Sequence, residues 1–258
     1  MANEIIREDK RHLTTLIFNR PEKRNALNAD ALFSLGDLVR EIDKEGKARV
    51  IILRGAGEKI FTSGGDVAGG YKEFQRTIEG LTYCIEGLIN CPLPLVSMVY
   101  GPAIGAGLDI SVISDFCFAA EDARFGVPLV KMGRTYYYTA IERLTRLVGI
   151  KAAKEILLTG SLINADRARE TGLVNQVIKH DELERFTYSF ANKLAEETAP
   201  LAVRVTKLTI KKLFEENRLA PSLEKELAGL VDEINMSKDA EEGIKAVMEK
   251  RKPVFTGR

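Results

Sequence analysis

Histidine is scarce in this chain: only His12 and His180 occur, far apart and outside every glycine-rich segment. The HExxH arrangement of zinc hydrolases is absent, and so is the GxSxG turn of serine hydrolases. Without a histidine placed to serve a serine or cysteine, hydrolysis through an acyl-enzyme is disfavoured. A zinc centre is disfavoured for the same shortage of ligands. The three cysteines, Cys84, Cys91 and Cys117, form no CxxC pair and are predicted to be buried, reduced thiols. No apolar run approaches the ~18 residues that span a bilayer. The opening "MANEIIREDKRH" has no apolar stretch of the secretory kind.

Charge of one sign is lacking too. Across 258 residues, 38 Lys and Arg nearly cancel 37 Asp and Glu, leaving a net charge of +1. A nucleic-acid binder shows a basic excess or stripe. The basic groups at Lys207–Lys212 and Lys250–Pro253 are expected on solvated helix faces or at anion contacts. Nucleotide-binding turns are incomplete. "GAGEKIFTSGG" lacks the GK[ST] ending of a P-loop, and "GPAIGAGLDI" has Ile110 where GxGxxG requires its last glycine. The expectation is a cytoplasmic protein without membrane segments, nucleic acid being an unfavoured partner.

What is present is alternation. Apolar runs at His12–Pro21, Ala48–Gly55, Leu95–Tyr100 and Asp115–Ala120 read as strands. Between them Leu32, Leu35, Val39 and Ile42 follow the cap candidate Asn28 at helical spacing, as do Phe74, Ile78, Leu81, Ile85 and Leu88 before "NCPLP". After Gly133 helical patterns dominate, at Thr135–Leu147, Lys151–Leu158, Ala165–Thr171, Asp181–Glu197, Pro200–Asn217, Pro221–Ile234 and Ala240–Lys250, broken by a strand in "GLVNQVI". The pattern predicts an α/β core over residues 1–200 and a helical region over 201–258.

Two glycine-rich turns stand directly after strands, "IFTSGGD" (Ile60–Asp66) and "GPAIGAGLD" (Gly101–Asp109). Gly64 and Gly65 permit backbone conformations that leave the Ser63 N–H facing outward. A helix starting near Gly107 puts the Ala106 N–H at its electropositive end. Two readings stand: tight turns and nothing more, or a pair of amides converging on one oxygen. Such donors contribute about 2.7–4 kcal/mol each where an oxyanion develops.

The runs "NRPEKRNALN", "IFTSGGD", "GPAIGAGLDI", "ARFGVPLVKMG" and "RLTRLVGIKAAKEILLTGSLINADRARETGLVNQVI" occur in one order along the chain. Together they resemble the enoyl-CoA hydratase/isomerase family, the crotonase superfamily. The resemblance implies a spiral of ββα units with a helical C-terminal trimerisation region, assembled as a homotrimer or hexamer. It implies an acyl-CoA substrate, with coenzyme A entering as part of the substrate and no separate cofactor. It implies a thioester oxygen held between the N–H groups of Ser63 and Ala106. Arg24, Ala26 and Leu27, with Gly64 and Asp66, correspond to the CoA-binding wall, and Phe255 to a residue near CoA at a subunit edge.

The chain departs from the family where hydratases keep two glutamates. The first position holds Asp109, one methylene shorter, and the second, in "FGVPL", holds Leu129. Leucine neither accepts nor delivers a proton, so paired-glutamate hydration is placed in doubt. The nearest pattern is that of methylmalonyl-CoA decarboxylases, which lack the second acid and carry a tyrosine eight residues before "LTR", here Tyr136. Loss of CO₂ from a malonyl-type thioester makes the enolate without a base, and Tyr136 would orient the carboxylate or relay a proton. Asp109 is open between a catalytic and a structural part. Arg134 and Lys131 are expected at the surface, with a substrate carboxylate as the other partner for Arg134. The rival expectations are a hydratase or isomerase resting on Asp109, and a homologue that binds acyl-CoA or RNA without turnover.

Overall fold

The computed structural model describes residues 4–66, 70–215, 225, 229, 232 and 236–251. Its strands are β1 (Ile5–Lys10), β2 (Leu13–Phe18), β3 (Val50–Gly55), β4 (Leu95–Val99), β5 (Pro102–Ile104), β6 (Phe116–Ala120), β7 (Arg124–Gly126), β8 (Ile163–Asn164) and β9 (Gln176–Ile178). The helices are α1 (Ala29–Glu45), α2 (Gly70–Asn90), α3 (Ala106–Ile113), α4 (Tyr138–Thr159), α5 (Ala165–Glu170), α6 (Leu183–Glu197), α7 (Pro200–Glu215) and a last described helix, Lys238–Met248. The strands form a six-stranded sheet, ordered β1-β2-β3-β4-β6-β9, and a three-stranded one, ordered β5-β7-β8. Among the described residues, the β1–β2 and β7–β8 pairs are antiparallel and the other strand pairs parallel.

The large sheet explains why its inner strands β3 and β4 read as largely apolar runs. Ile51 and Leu53 of β3 and Leu95 and Val99 of β4 face a core shared with α1, α2 and α4. Their neighbours Val50, Ile52, Val96 and Met98 face a second core, closed by Leu183, Ala191 and Ala195 of α6. With both faces covered, no position is left for a polar alternation.

Local signals set the helix ends that frame the site. The Asn28 side chain accepts the Ala31 N–H at 2.9 Å, so α1 starts where the cap was expected. The α2 helix stops at Asn90, ahead of Pro92 and Pro94. The expected helix Thr135–Leu147 begins three residues late, at Tyr138, because Thr135 and Tyr136 are in an irregular stretch. Gly149, at φ 77° and ψ 160°, divides α4 into the two helical pieces that the sequence suggests. Most of the expected helix Pro221–Ile234 lies outside the described residues. On α7, Lys207 is not on a solvated face: its Nζ donates to the Leu93 carbonyl at 2.8 Å and pairs with Asp115 at 2.6 Å. Val205, Leu208 and Ile210 of the same helix are exposed.

Candidate active site

The two glycine-rich turns meet because β5 runs alongside Phe61–Thr62. The Phe61 and Thr62 N–H groups donate to the Pro102 carbonyl at 3.1 and 3.2 Å, and the Ile104 N–H donates to Thr62 at 3.0 Å. This register brings Gly64 against Gly105 and Ala106. Gly64 has φ +100°, and a Cβ there would stand 2.8 Å from the Ile104 carbonyl oxygen and 3.8 Å from the Ala106 nitrogen. Only glycine lets the turns approach so closely.

The segment from Arg24 packs on the first turn. Leu27 donates to the Gly64 carbonyl and Asp66 to the Leu27 carbonyl, both at 2.8 Å. Asn25, buried and at φ 53°, holds the Ala56 and Ile60 carbonyls at 3.1 and 2.8 Å. The Arg20 guanidinium ties the Ala26 carbonyl at 2.8 Å to the Asp66 carboxylate at 3.0 Å. Arg24, Ala26, Leu27, Gly64 and Asp66 are thus neighbours, as the resemblance implies, and Arg20 joins them although the sequence reading did not single it out. Phe255 lies outside the described residues.

The two expected oxyanion donors differ. The Ala106 N–H is the first amide of α3 and has no acceptor among the described residues. The Ser63 N–H donates to the Arg24 carbonyl at 3.1 Å, a correction to its expected outward orientation. Arg24 lies in the left-handed region, at φ 54°, and the turn it makes presents its carbonyl to Ser63.

Asp109 sits one turn into α3, with only 4% of its side chain exposed. Arg143 of α4 grips it with two parallel bonds, Nε to Oδ1 at 3.0 Å and Nη2 to Oδ2 at 2.7 Å. Burial raises the Asp109 carboxyl above its ordinary range, and the Arg143 guanidinium opposes that rise. Two charge-assisted bonds of fixed fork geometry keep both oxygens engaged. Sequence reasoning passed over Arg143. Its position in α4 carries no sign of a partner 34 residues earlier.

Tyr136 is buried, and its hydroxyl donates to the Gly105 carbonyl at 2.9 Å. That carbonyl belongs to the same peptide unit as the Ala106 N–H. In a trans peptide the two groups point to opposite sides, so the Tyr136 hydroxyl stands behind the open donor rather than beside its ligand position. A bond to the carbonyl polarises the unit and strengthens its N–H as a donor. Burial pushes the Tyr136 phenol well above its ordinary value, and the Asp109 charge pushes the same way.

Beside Tyr136, a cavity of about 300 Å³ is lined mostly by apolar side chains, among them Leu129, Val127, Ile141 and Leu157, with Thr135, Thr145 and Lys154 also on its wall. Lys131 is exposed, as expected. Arg134 is not: it is 7% exposed, and its guanidinium lies 4.0 Å from the Phe74 ring centre on α2. Its Nε and Nη1 have no hydrogen-bond partner among the described residues. Burial lowers this guanidinium from its ordinary value.

This order of strands and helices, with an amide donor at the first position of α3, matches a known class. The chain matches the enoyl-CoA hydratase/isomerase family over residues 8–258, and it belongs to that family. It is 35% identical over 257 residues to a short-chain-enoyl-CoA hydratase of Clostridium acetobutylicum, covering 97% of this chain and 96% of the relative. It is 34% identical over 251 residues to the methylmalonyl-CoA decarboxylase of Escherichia coli, covering 93% of each. Among solved structures, methylmalonyl-CoA decarboxylase in complex with 2-nitronate-propionyl-CoA superposes with a TM-score of 0.90 at 30% identity, over 99% of both chains. The crotonase fold expected from the sequence is therefore the fold of this chain, and its class is that of enzymes acting on acyl-CoA.

Proposed function

We propose that this protein decarboxylates a malonyl-type acyl-CoA. The observation that carries the reading is the state of the two acid positions. Leu129 holds one, and the carboxylate at the other, Asp109, has both oxygens bound by Arg143. A pocket so made has no ready base to remove a proton from the acyl group, and decarboxylation needs none. The bond between Cα and the carboxyl carbon breaks, and its electron pair forms the enolate C=C as the carbonyl pair moves onto the thioester oxygen. CO₂ leaves, and a proton from water then adds at Cα. The Ala106 N–H meets the developing oxyanion, with the Gly105 carbonyl behind it held by Tyr136. The Ser63 N–H joins as second donor when the Arg24 carbonyl gives way to the thioester. The cavity at Leu129 gives the departing carboxylate mostly apolar surroundings. The Arg24–Leu27 segment and Asp66 form the wall for CoA, and no further cofactor enters.

The likeness to a hydratase favours hydration as the second reading, and it requires Asp109 to leave Arg143. Incubation with methylmalonyl-CoA and crotonyl-CoA together, followed by mass spectrometry, separates them. Loss of CO₂ from the first with the second unchanged supports decarboxylation, and water added to crotonyl-CoA refutes it. In the same reading the protein is a homo-oligomer, trimer or hexamer, that covers the exposed Val205, Leu208 and Ile210. The mass from sedimentation equilibrium tests that assembly, and a monomer refutes it.

A further inference from the structure

We infer that Arg134 receives the carboxylate of the acyl group and so selects anionic acyl-CoA substrates over uncharged ones. The inference rests on the proposed reaction at the same site, which it deepens by naming the group that recognises the substrate's charge. A guanidinium is held inside proteins by partners, because withdrawing it from water costs several kcal/mol. Arg134 is over nine-tenths buried, and two of its three nitrogens, Nε and Nη1, meet no acceptor among the described residues. Arg143, on the neighbouring helix, shows the usual arrangement, with a carboxylate in its fork. What Arg134 has instead is a ring face: its guanidinium lies over Phe74 at 4.0 Å, which fixes its plane without occupying its N–H groups.

Its place in the chain ties it to the site. The Arg134 N–H donates to the Leu129 carbonyl at 3.0 Å, so the turn that sets Leu129 at the cavity also sets Arg134. Two residues on, Tyr136 lines the same cavity and supports the Gly105–Ala106 peptide. On the other side, Phe74 precedes Thr77 by one turn of α2, and the Thr77 hydroxyl is 3.4 Å from the Asp66 carbonyl, on the first glycine turn. Arg134 is therefore held between the cavity segment and the helix behind the oxyanion turn. Buried guanidinium N–H groups without a partner among the described residues fit an anion such as a carboxylate there.

The test is binding, so it does not depend on turnover. Calorimetry with 2-carboxypropyl-CoA and with its uncharged counterpart S-isobutyl-CoA, both thioethers, would compare the wild type, Arg134→Met and Arg134→Lys. A hydrogen bond to a charged group contributes about 1.5–3 kcal/mol, so the wild type should prefer the carboxylate by about 10–150-fold. Arg134→Met should erase that preference and leave S-isobutyl-CoA affinity unchanged, while Arg134→Lys should keep part of it. Equal weakening toward both ligands would place Arg134 on the CoA moiety and overturn the inference. An unaltered preference together with a loss of oligomer mass would give it to a subunit contact, which also overturns it. If the preference appears but methylmalonyl-CoA is not decarboxylated, the reaction fails and the assignment of Arg134 stands. If CO₂ is lost equally well by Arg134→Met at low substrate, Arg134 fails and the reaction stands.

Discussion

Replacing Arg143 by methionine strands the Asp109 carboxylate in a place with 4% exposure. Breaking a buried ion pair from one side costs about 3–5 kcal/mol, because the remaining charge keeps its desolvation penalty. Arg143 itself is 23% exposed, so some water reaches the vacated end and the lower figure applies. At about 2–4 °C per kcal/mol for a chain of this size, Arg143→Met should lower Tm by about 6–12 °C. Asp109→Leu keeps the heavy-atom number and branching of aspartate but removes the charge, and combined with Arg143→Met it removes both penalties. The double variant should regain most of the lost stability, a coupling that a double-mutant cycle of thermal melts measures directly. Turnover of methylmalonyl-CoA decides what the pair is for. Within about tenfold of wild type in the double variant, Asp109 and Arg143 serve to fasten α3 to α4. A stable double variant that loses 10²–10⁴-fold, the size of a general acid–base contribution, would refute the reasoning and make Asp109 catalytic. An Arg143→Met change within about 0.5 kcal/mol, the scale of surface substitutions, would refute the anchor itself.

Three further outcomes are expected. Ala106→Pro removes the open amide at the first position of α3, where proline suits the helix, and should lower kcat by about 10²–10³-fold in a folded protein, as steady-state assays and circular dichroism would show together. Tyr136→Phe deletes one neutral hydrogen bond behind that amide and should lower kcat by about 2–12-fold; a loss beyond about 10³-fold would make Tyr136 a proton donor instead. Burial holds Cys84 and Cys117 up at about 12 and Cys91 at about 11, so at pH 8 no more than about 10⁻³ of any thiol is thiolate. Titration with a thiol reagent should find none reactive in the native state and three in urea.

How far the chain could be read depended on how local each cause is. Asn28 and α1 were legible because a cap and its helix lie within a few residues. The strands β3 and β4 were legible because burial on both faces makes the whole segment apolar. The strands β5 and β7, three residues each, are defined by their pairing, and nothing in three residues announces a partner. The start of α4 was misplaced because Tyr137 offers its helix no side-chain cap. At the site, the two turns and their glycines were readable, since φ values and close approach act on the residue itself. The bond from Ser63 to Arg24 was not, because it depends on a left-handed arginine that sequence does not disclose. Arg134 and Arg143 are one residue type in opposite circumstances: Arg143 holds a carboxylate, and Arg134 has two nitrogens without a partner among the described residues. Only the fold distinguishes them.

The open donor of this site is a main-chain amide, and that has a consequence for how the protein can change. Every side chain around Ala106 can be exchanged while the N–H remains, proline at that position being the one substitution that deletes it. The groups proposed to choose the substrate, Leu129 and Arg134, are by contrast side chains on a single stretch of six residues between β7 and α4. Variation confined to that stretch therefore alters which acyl group is accepted and leaves enolate stabilisation in place. A library randomised there, on a fixed remainder, is the shortest route from this activity to a neighbouring one.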